Sequence, residues 1–320
     1  MFGSNRDFYH TGLQIGRSDL QAMINGMGPG DHFFVDYRNG SDNNDGKTWA
    51  KAFRTYSKAV DAVVSNHNDI IHIAGDSTVV ETAMVTLSKN RVHTVGHNGA
   101  LGHYGAGAKI DCTLAAGSSN IATFKNTGVR NTFTGVKFTN SSTVAAGLYA
   151  GWEAGEYARY FNCEMQKLTD LDEALAADLL LQGDSPQFYN CCIGVSSLST
   201  VGAIVRPNVL LTTVQSKDVL FENCIFPKHA GNAAAQMINL IGNVVDRFLL
   251  FKDCIFINDA LAAADPDHAI GATVAQTNGS VLLKNCTSVH CTVMAEAAVN
   301  IYVDGAVPLF ATSGVSVAAA

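Results

Sequence analysis

A short motif recurs through most of the chain at intervals of about thirty residues. Each copy has an aromatic or apolar residue, a polar residue, Asn, Asp or Gly, and then Cys or Val. The fourth position of the six copies falls at Val136, Cys163, Cys191, Cys224, Cys254 and Cys286, in steps of 27, 28, 33, 30 and 32 residues. A unit of this length buries its apolar side only by stacking on its neighbours, so the repeat predicts a solenoid.

The motif alternates with a period of two, which indicates strands rather than helix. Further short apolar runs lie within each repeat, and no segment of the repeat has the length of a helix. Such a repeat predicts an all-β fold, a parallel solenoid whose strands stack one coil apart at about 4.8 Å. Residues 70–305 then form about eight coils, a rod on the order of 40 Å long.

The cysteines are predicted to form an inward-facing column of reduced thiols. Cys is small and apolar enough to be buried, and a chain with 47% hydrophobic residues needs no disulfide staples. The eight cysteines also lack the CxxC spacing of zinc sites. The Asn or Asp before most of these cysteines predicts a tight turn, because Asx side chains bond the local backbone and tolerate left-handed geometry.

Charge and hydropathy argue against two classes of partner. The net charge is −7 and no basic stripe is present that would displace counterions from a duplex, so no nucleic-acid partner is expected. No window reaches the roughly 18 apolar residues of a membrane span, and none of the first twenty residues forms the apolar stretch of a secretory signal. We expect the chain to avoid membranes and to stay where it is made, or to leave by a route other than secretion.

The region before the repeat predicts a cap for the solenoid. Phe33 to Val35 form a predicted strand, an Asn/Asp/Gly loop follows, and then Tyr56, Ala59, Val60 and Val63 recur at helical spacing. A short amphipathic helix here covers the open end of the first coil, which would otherwise be an aggregation-prone edge.

This stretch resembles the N-terminal part of right-handed parallel β-helix proteins of the pectin-lyase-like superfamily. The resemblance rests on Val35-Asp36, Asn39-Gly40-Ser41-Asp42, Asp45-Gly46, the Phe53 to Thr55 turn, Ala59-Val60 and the strand pattern of residues 68–99. It implies one β-helix domain over residues 31–305, with an N-terminal arm (1–30) and a C-terminal tail (306–320). It leaves the function open, because the superfamily includes lyases, hydrolases, epimerases and non-catalytic virion proteins.

Polysaccharide-cleaving β-helices carry their chemistry on one exposed sheet face. Their hydrolases need two or three neighbouring carboxylates, and their lyases need a calcium-binding acidic cluster with an Arg or Lys base. The hydrolase signatures Asn-Thr-Asp, Asp-Asp, Gly-His-Gly and Arg-Ile-Lys do not occur. The best alternative catalytic candidates are Glu153, Asp170 and Asp172, although TDLDEALAADLL also fits the start of a helix with acids in its first turn.

Other polar groups carry weaker signals. Asp265, Asp267 and His268 are interpreted as a turn, and Asp42 to Gly46 as Asx turns rather than a calcium loop. Arg206 has no acidic neighbour within ten residues, which gives little support for a lyase base. His93, His97 and His103 have spacings that allow a metal site, but we expect neither a metal nor another cofactor.

The arm and the tail are apolar enough to predict a binding partner. Phe8, Leu13, Ile15 and Leu20 in the arm are the candidate partner-binding residues, since such arms are typically ordered only against another surface. With the missing signal, the resemblance implies a bacteriophage virion protein assembled in the host cytoplasm. The favoured hypothesis is a non-enzymatic head decoration or cement protein that binds the major capsid protein, or another virion protein, as a homotrimer. The alternatives are a glycan-degrading enzyme, such as a tailspike-like depolymerase, lyase or hydrolase, and an adhesin or other binding module.

Overall fold

The computed structural model describes residues 30–97, 106–114, 121–143, 147–169, 175–196, 206–259, 262, 264–296 and 300–304. The strands described there form three parallel sheets, with ten strands in the first and eight in each of the others. The first sheet consists of His32–Val35, Ile70–Ile73, His93–Gly96, Thr132–Thr134, Arg159–Phe161, Gln187–Tyr189, Ser216–Glu222, Val245–Lys252, Gly279–Lys284 and Ile301–Asp304. The second consists of Thr78–Glu81, Ala108–Cys112, Val136–Asn140, Glu164–Lys167, Cys192–Ile193, Ile225–Lys228, Ile255–Asn258 and Thr287–Val289. The third consists of Val85–Leu87, Ala122–Asn126, Tyr149–Glu153, Ala177–Leu181, Val209–Thr212, Ile238–Ile241, His268–Ala272 and Val293–Ala295.

Each coil passes through the first, second and third sheets in turn, and each strand pairs in parallel with its counterpart one coil away. The predicted all-β parallel solenoid is therefore confirmed. The predicted count of about eight coils is slightly off for the first sheet, which has ten strands. It includes one strand before the helix and one that follows the last strands of the other two sheets.

Two short helices lie near the beginning of the described chain, a 3-10 turn at Trp49–Lys51 and the predicted helix, α1, at Tyr56–Ala62. Tyr56, Ala59 and Val60 of α1 are buried against the first coil, as their spacing predicts. Seven residues do not form a stable helix alone, so α1 depends on groups outside it. The Glu81 carboxylate accepts hydrogen bonds from the backbone N–H groups of Tyr56 and Ser57. The Lys89 ammonium donates to three carbonyls at the C-terminal end.

The interior is built from columns of like residues, one from each coil. The first motif position supplies a stack of five rings whose centroids are 4.6 to 5.1 Å apart, formed by Phe133, Tyr160, Phe188, Phe221 and Phe251. Each stacked pair adds about 0.5–1.5 kcal/mol beyond the area that it buries. The fourth position forms the predicted Cys column, in which Cys224 donates to the carbonyl of Phe188 and Cys254 to that of Phe221, both at 3.4 Å. All eight cysteines are free thiols.

The predicted turn residue marks the corner between the first and second sheets. The residues before five of the cysteines have φ values between 51° and 54°, and they are Asn162, Asn190, Asn223, Asp253 and Asn285. Gly135 occupies the same corner at φ 66°, ahead of Val136. Asn and Gly tolerate this left-handed conformation better than other residues, so one residue suffices to turn the chain.

One local prediction lies only partly within the described residues. The helix start predicted for TDLDEALAADLL falls mainly on residues 170–174, which lie outside them, and the last residues of the segment belong to the strand Ala177–Leu181. All five residues of this strand are buried between strands of the neighbouring coils, and that packing overrides the helical propensity of Ala and Leu.

Candidate functional site

Glu153 lies inside the rod rather than on an exposed face. Its side chain has no solvent exposure, while Trp152 beside it is only partly buried and points outward. The Glu153 carboxylate accepts hydrogen bonds from Asn126 Nδ2 at 3.0 Å, from the N–H of Gly155 at 2.6 Å and from the Tyr160 hydroxyl. Burial raises the pKa of Glu153 to about 7, opposed by these three donors. The arrangement gives Glu153 a structural role, and a polysaccharide on the outer surface would not touch it.

Asp170 and Asp172 lie outside the described residues, as do the arm residues Phe8, Leu13, Ile15 and Leu20.

Sequence reasoning missed a buried cluster of charges at the corner between the second and third sheets. Lys167, Arg206, Lys228 and Asp178 are each no more than 4% exposed. Burial, followed by the charge of Arg206, lowers the pKa of Lys167 to about 7. Burial raises the pKa of Asp178, opposed first by Arg206.

The cations of this cluster bind mainly backbone carbonyls. Arg206 donates to the carbonyls of Thr169 and Lys167, and Lys228 donates to that of Arg206. The amides of Asn140 and Asn258 hold the same corner in neighbouring coils and also donate to carbonyls. Lys167 and Lys228 therefore occupy the corner positions that Asn occupies in the neighbouring coils, and their longer side chains likewise donate to backbone carbonyls. The buried Arg206 side chain stabilises this corner. It does not reach the surface, so it cannot act as a base on a substrate bound there.

The carboxylates on the outer sheet faces of the described chain already have partners. Asp111 accepts from the hydroxyls of Thr139 and Ser141, both at 2.6 Å. Glu164 is 2.9 Å from the Lys137 ammonium, and Glu222 is 2.5 Å from that of Lys252. No pair of unengaged carboxylates, as a glycosidase requires, lies on the strands of the described residues.

His97, one of the three histidines with metal-site spacing, belongs to a hydrogen-bonded chain of three imidazoles. His32 Nδ1 lies 2.8 Å from His72 Nε2, and His72 Nδ1 lies 3.0 Å from His97 Nε2. Because His72 uses different nitrogens for its two neighbours, one metal ion cannot take all three rings. Burial, followed by the charges of His97 and His32, lowers the pKa of His72 to about 3. His103 lies outside the described residues.

One other group has metal-ligating atoms close together in the described chain, namely Asp31, His67 and Asp69. The Lys47 ammonium already lies 2.9 Å from the Asp31 carboxylate. Asp69 accepts the backbone N–H groups of Asp31 and Val64 and a ring nitrogen of His67. These contacts link the start of the first strand to the chain after α1, so the group has a structural role.

The two acidic loops agree only in part with the sequence predictions. Asp45 accepts the N–H group of Lys47 two residues on, which is the predicted Asx turn. Asp42 differs, because it accepts the N–H groups of Arg54 and Thr55 and so links the loop to the residues before α1. Residues 265 and 266 are irregular and residue 267 lies in a bend, whereas His268, which was predicted to belong to the same turn, begins the strand His268–Ala272.

The exposed side chains of the strands include aliphatic and aromatic residues. Ile255 and Ile257 on the second sheet are 39% and 36% exposed. On the first sheet, the half-buried rings of Phe161 and Tyr189 stack with centroids 5.0 Å apart. None of the described helices is long and apolar enough to cross a membrane.

Comparison with known proteins identifies the fold. No protein-family model matches the chain, and no curated protein matches it in sequence. Among solved structures, pectate lyase Pel9A is similar with a TM-score of 0.56 and 13% identity, over 88% of this chain and 76% of that one. Pectin methylesterase PemA from Erwinia chrysanthemi gives 0.49 and 14%, over 85% and 80%. ORF18 of Geobacillus virus E2 gives 0.43 and 9%, over 89% and 62%.

The likeness to pectate lyase Pel9A and the three parallel sheets define the class: the chain has a parallel β-helix fold of the pectin-lyase-like kind. At identities this low, the likeness describes the fold alone, and function has to be argued from the surface.

Proposed function

We propose that this β-helix is a structural protein of a bacteriophage particle, a head decoration or cement protein that binds the capsid surface as a homotrimer. The observation that carries the proposal is the outer surface of the described rod. Its sheet-face carboxylates are engaged with hydroxyls or cations, whereas aliphatic side chains are left exposed in register. A surface of this kind suits contact with another protein better than acid–base chemistry.

The interior supports a structural role. Continuous ring and thiol columns and corner hydrogen bonds repeat from coil to coil, so the rod has one packed core along its length. Assembly in a reducing cytoplasm agrees with eight free cysteines. The arm with Phe8, Leu13, Ile15 and Leu20 is the proposed anchor to the major capsid protein or another virion protein.

The test is the number of copies of this chain relative to the major capsid protein in purified particles, measured by quantitative mass spectrometry. Hundreds of copies per particle are expected for a shell component. A handful of copies would overturn the decoration role and favour a tail device, and none would overturn the virion role.

A glycan-active enzyme is the second candidate, favoured by one observation. Arg159 lies two residues before Phe161 on the outer face of the first sheet, beside the stacked pair Phe161 and Tyr189. A cation next to flat rings is a platform on which an acidic sugar can bind. Incubation with host-surface polysaccharides separates the two candidates, since a depolymerase releases new chain ends and a decoration protein releases none.

A further inference from the structure

Cations and aromatic rings lie together at the corner between the third and first sheets, on two neighbouring coils. On the third sheet, Lys125 Nζ lies 3.3 Å from the centre of the Trp152 ring, and the two residues are paired in register on adjacent strands. At the corner, the Arg130 guanidinium lies 5.9 Å from the centre of the Tyr157 ring in the next coil. Tyr157 is 52% exposed, so the corner faces solvent.

Arg159 continues this group onto the first sheet, between Tyr157 and Phe161 in the chain. Arg159 and Phe161 are half-buried and flank a buried residue, so both point outward. In register, Thr134 pairs with Phe161 and Gln187 with Arg159, which adds a hydroxyl and an amide group to the same face. We call Lys125, Arg130 and Arg159 the cationic band.

The cationic band has no counter-ion among the described residues. None of their carboxylates pairs with its three cations, and Glu156, which is exposed and next to Tyr157 in the chain, is no exception. Burial lowers the pKa of Lys125, and no carboxylate opposes it. Six other cations of the described surface do lie beside carboxylates, namely Arg38, Lys47, Lys137, Lys217, Arg247 and Lys252. In a chain with a net charge of −7, adjacent cations without counter-ions form a local site for an anion.

The rings hold these cations in place without neutralising them. An aromatic face attracts a cation through its quadrupole and carries no net charge, so Lys125 and Arg130 are positioned and keep their positive charge. Arg130 and Tyr157 also have left-handed φ values of 60° and 56°. This conformation is unfavourable for long side chains and is found more often at binding sites than elsewhere.

The surroundings of the band favour a sugar chain over a peptide or a nucleic acid. The strands here are hydrogen-bonded on both sides, so an extended peptide would find no free backbone groups. Nucleic-acid bases need free ring faces, whereas Lys125 covers Trp152, and Phe161 and Tyr189 stack on each other. A polysaccharide needs neither, because its acidic groups bind cations and its hydroxyls bind side-chain amides and hydroxyls.

We infer that the cationic band is a binding site for a polysaccharide that carries sulfate or carboxylate groups. The inference goes beyond the decoration role and does not depend on it. It concerns binding alone, and cleavage of the bound chain is not part of it.

The experiment titrates the full-length protein with dextran sulfate, carboxymethyl-dextran and neutral dextran of equal length, followed by calorimetry. At least one charged dextran should bind, and the one that binds more tightly identifies the preferred anionic group. Its affinity should fall as salt is added, because exposed charges are screened beyond about 8 Å at about 0.15 M salt. Failure of both charged dextrans to bind, or equal binding of neutral dextran, overturns the inference.

Substitutions test the place of binding. Arg130→Gln and Arg159→Gln should each weaken binding roughly fivefold or more, and the triple variant with Lys125→Gln should lose it. Arg54→Gln is the matched control and should bind as wild type, because Arg54 is also exposed and lies 4.9 Å from the centre of the Tyr37 ring, near α1. Unchanged affinity in the triple variant, or an equal loss in Arg54→Gln, overturns the assignment to the band.

Competition tests the class of ligand. Polyglutamate and oligothymidylate of equal charge should displace the bound dextran much less effectively than free charged dextran does. Equal displacement by either polymer would show that the band selects charge alone, and the assignment to a polysaccharide would then be wrong.

Arginine modification of the wild-type protein covers the case in which a variant folds poorly. Charged dextran should protect Arg130 and Arg159 from phenylglyoxal, mapped by mass spectrometry, and should leave Arg54 reactive. Equal reactivity of Arg130 and Arg159 with and without dextran overturns the inference. Copy number in particles is a separate readout, which decides the decoration role and leaves the polysaccharide site untouched.

Discussion

Whether the Glu153 side chain is buried or exposed depends on which face of its strand it occupies. The segment Tyr149–Glu153 alternates as a strand should, but alternation does not say which set of residues faces inward. Gly151 pairs in register with Phe124 and Leu179, whose side chains lie in the core, so Gly151 also faces inward. A Cβ added at this position would contact Met165. Glu153, two residues after Gly151, therefore faces the interior, and Trp152 between them faces outward. A carboxylate that the sequence offers as a surface acid thus becomes a buried acceptor for Tyr160.

Burial gives Glu153 a measurable pH dependence. Its pKa is about 7 in the folded protein against 4.5 in the unfolded chain, so the native state holds a proton that the unfolded state has lost between these values. Stability is then fully present below about pH 4.5 and is lost as the pH rises through 7. We expect the contribution of Glu153 to the free energy of unfolding to fall by on the order of 3 kcal/mol between about pH 5 and about pH 8.

Glu153→Gln should remove most of that dependence, because the amide keeps the acceptor for Gly155 and never ionises. Urea unfolding of both proteins at the two pH values measures it. Glu156→Gln, an exposed neighbour, is the control and should keep the wild-type dependence. Equal slopes for wild type and Glu153→Gln would show that another group sets the pH response.

The repeated corner is the element that converts strands into coils. One left-handed residue joins the first and second sheets, and Asn223 donates to Asn190 Oδ1 at 2.6 Å one coil away. The Asn-Cys dipeptide predicts this corner from sequence, because few other residues accept the conformation. The cationic corner between the second and third sheets had no such signal. Lys167 and Lys228 stand where Asn would be expected, and only the fold brings Arg206 to them.

Substitution of Asn223 separates the backbone from the side chain. Asn223→Ala should lose about 1–2 kcal/mol, because Ala is strained at φ 53° and lacks the amide. Asn223→Gly should lose less, since Gly relieves the strain and loses only the hydrogen bond. Thermal unfolding of both, beside the exposed strand variant Thr287→Ala, checks the order. If the alanine variant is as stable as the glycine variant, strain in the left-handed conformation does not contribute to the loss of stability.

At the scale of the whole molecule, the β-helix is closed at its beginning by residues that follow the arm. The first strand, α1, Glu81 and Lys89 all belong to residues 32–89, and they cover the first coil. The described residues thus cover the first coil without the arm, which supports the anchoring role proposed for it.

Deletion of residues 1–29 should leave the melting temperature of the solenoid unchanged and abolish binding to capsids. Capsid binding is measured by sedimentation with particles that lack the protein. A full-length variant in which Phe8, Leu13, Ile15 and Leu20 are serine is the matched control and should behave like the deletion. Full occupancy by the truncated protein would refute the anchoring role of the arm.

The sequence by itself determined the repeating architecture. The thirty-residue period, the inward Cys column, the Asx corner and α1 each follow from local spacing, because a stacked coil repeats the same local chemistry. The tertiary structure decided which face each polar residue occupies: Glu153 inside, Arg206 beneath the corner, and Arg159 outside on the first sheet. The reason is physical. A period of two is the same for both faces of a strand, and only contact with the coils above and below selects the one that is buried.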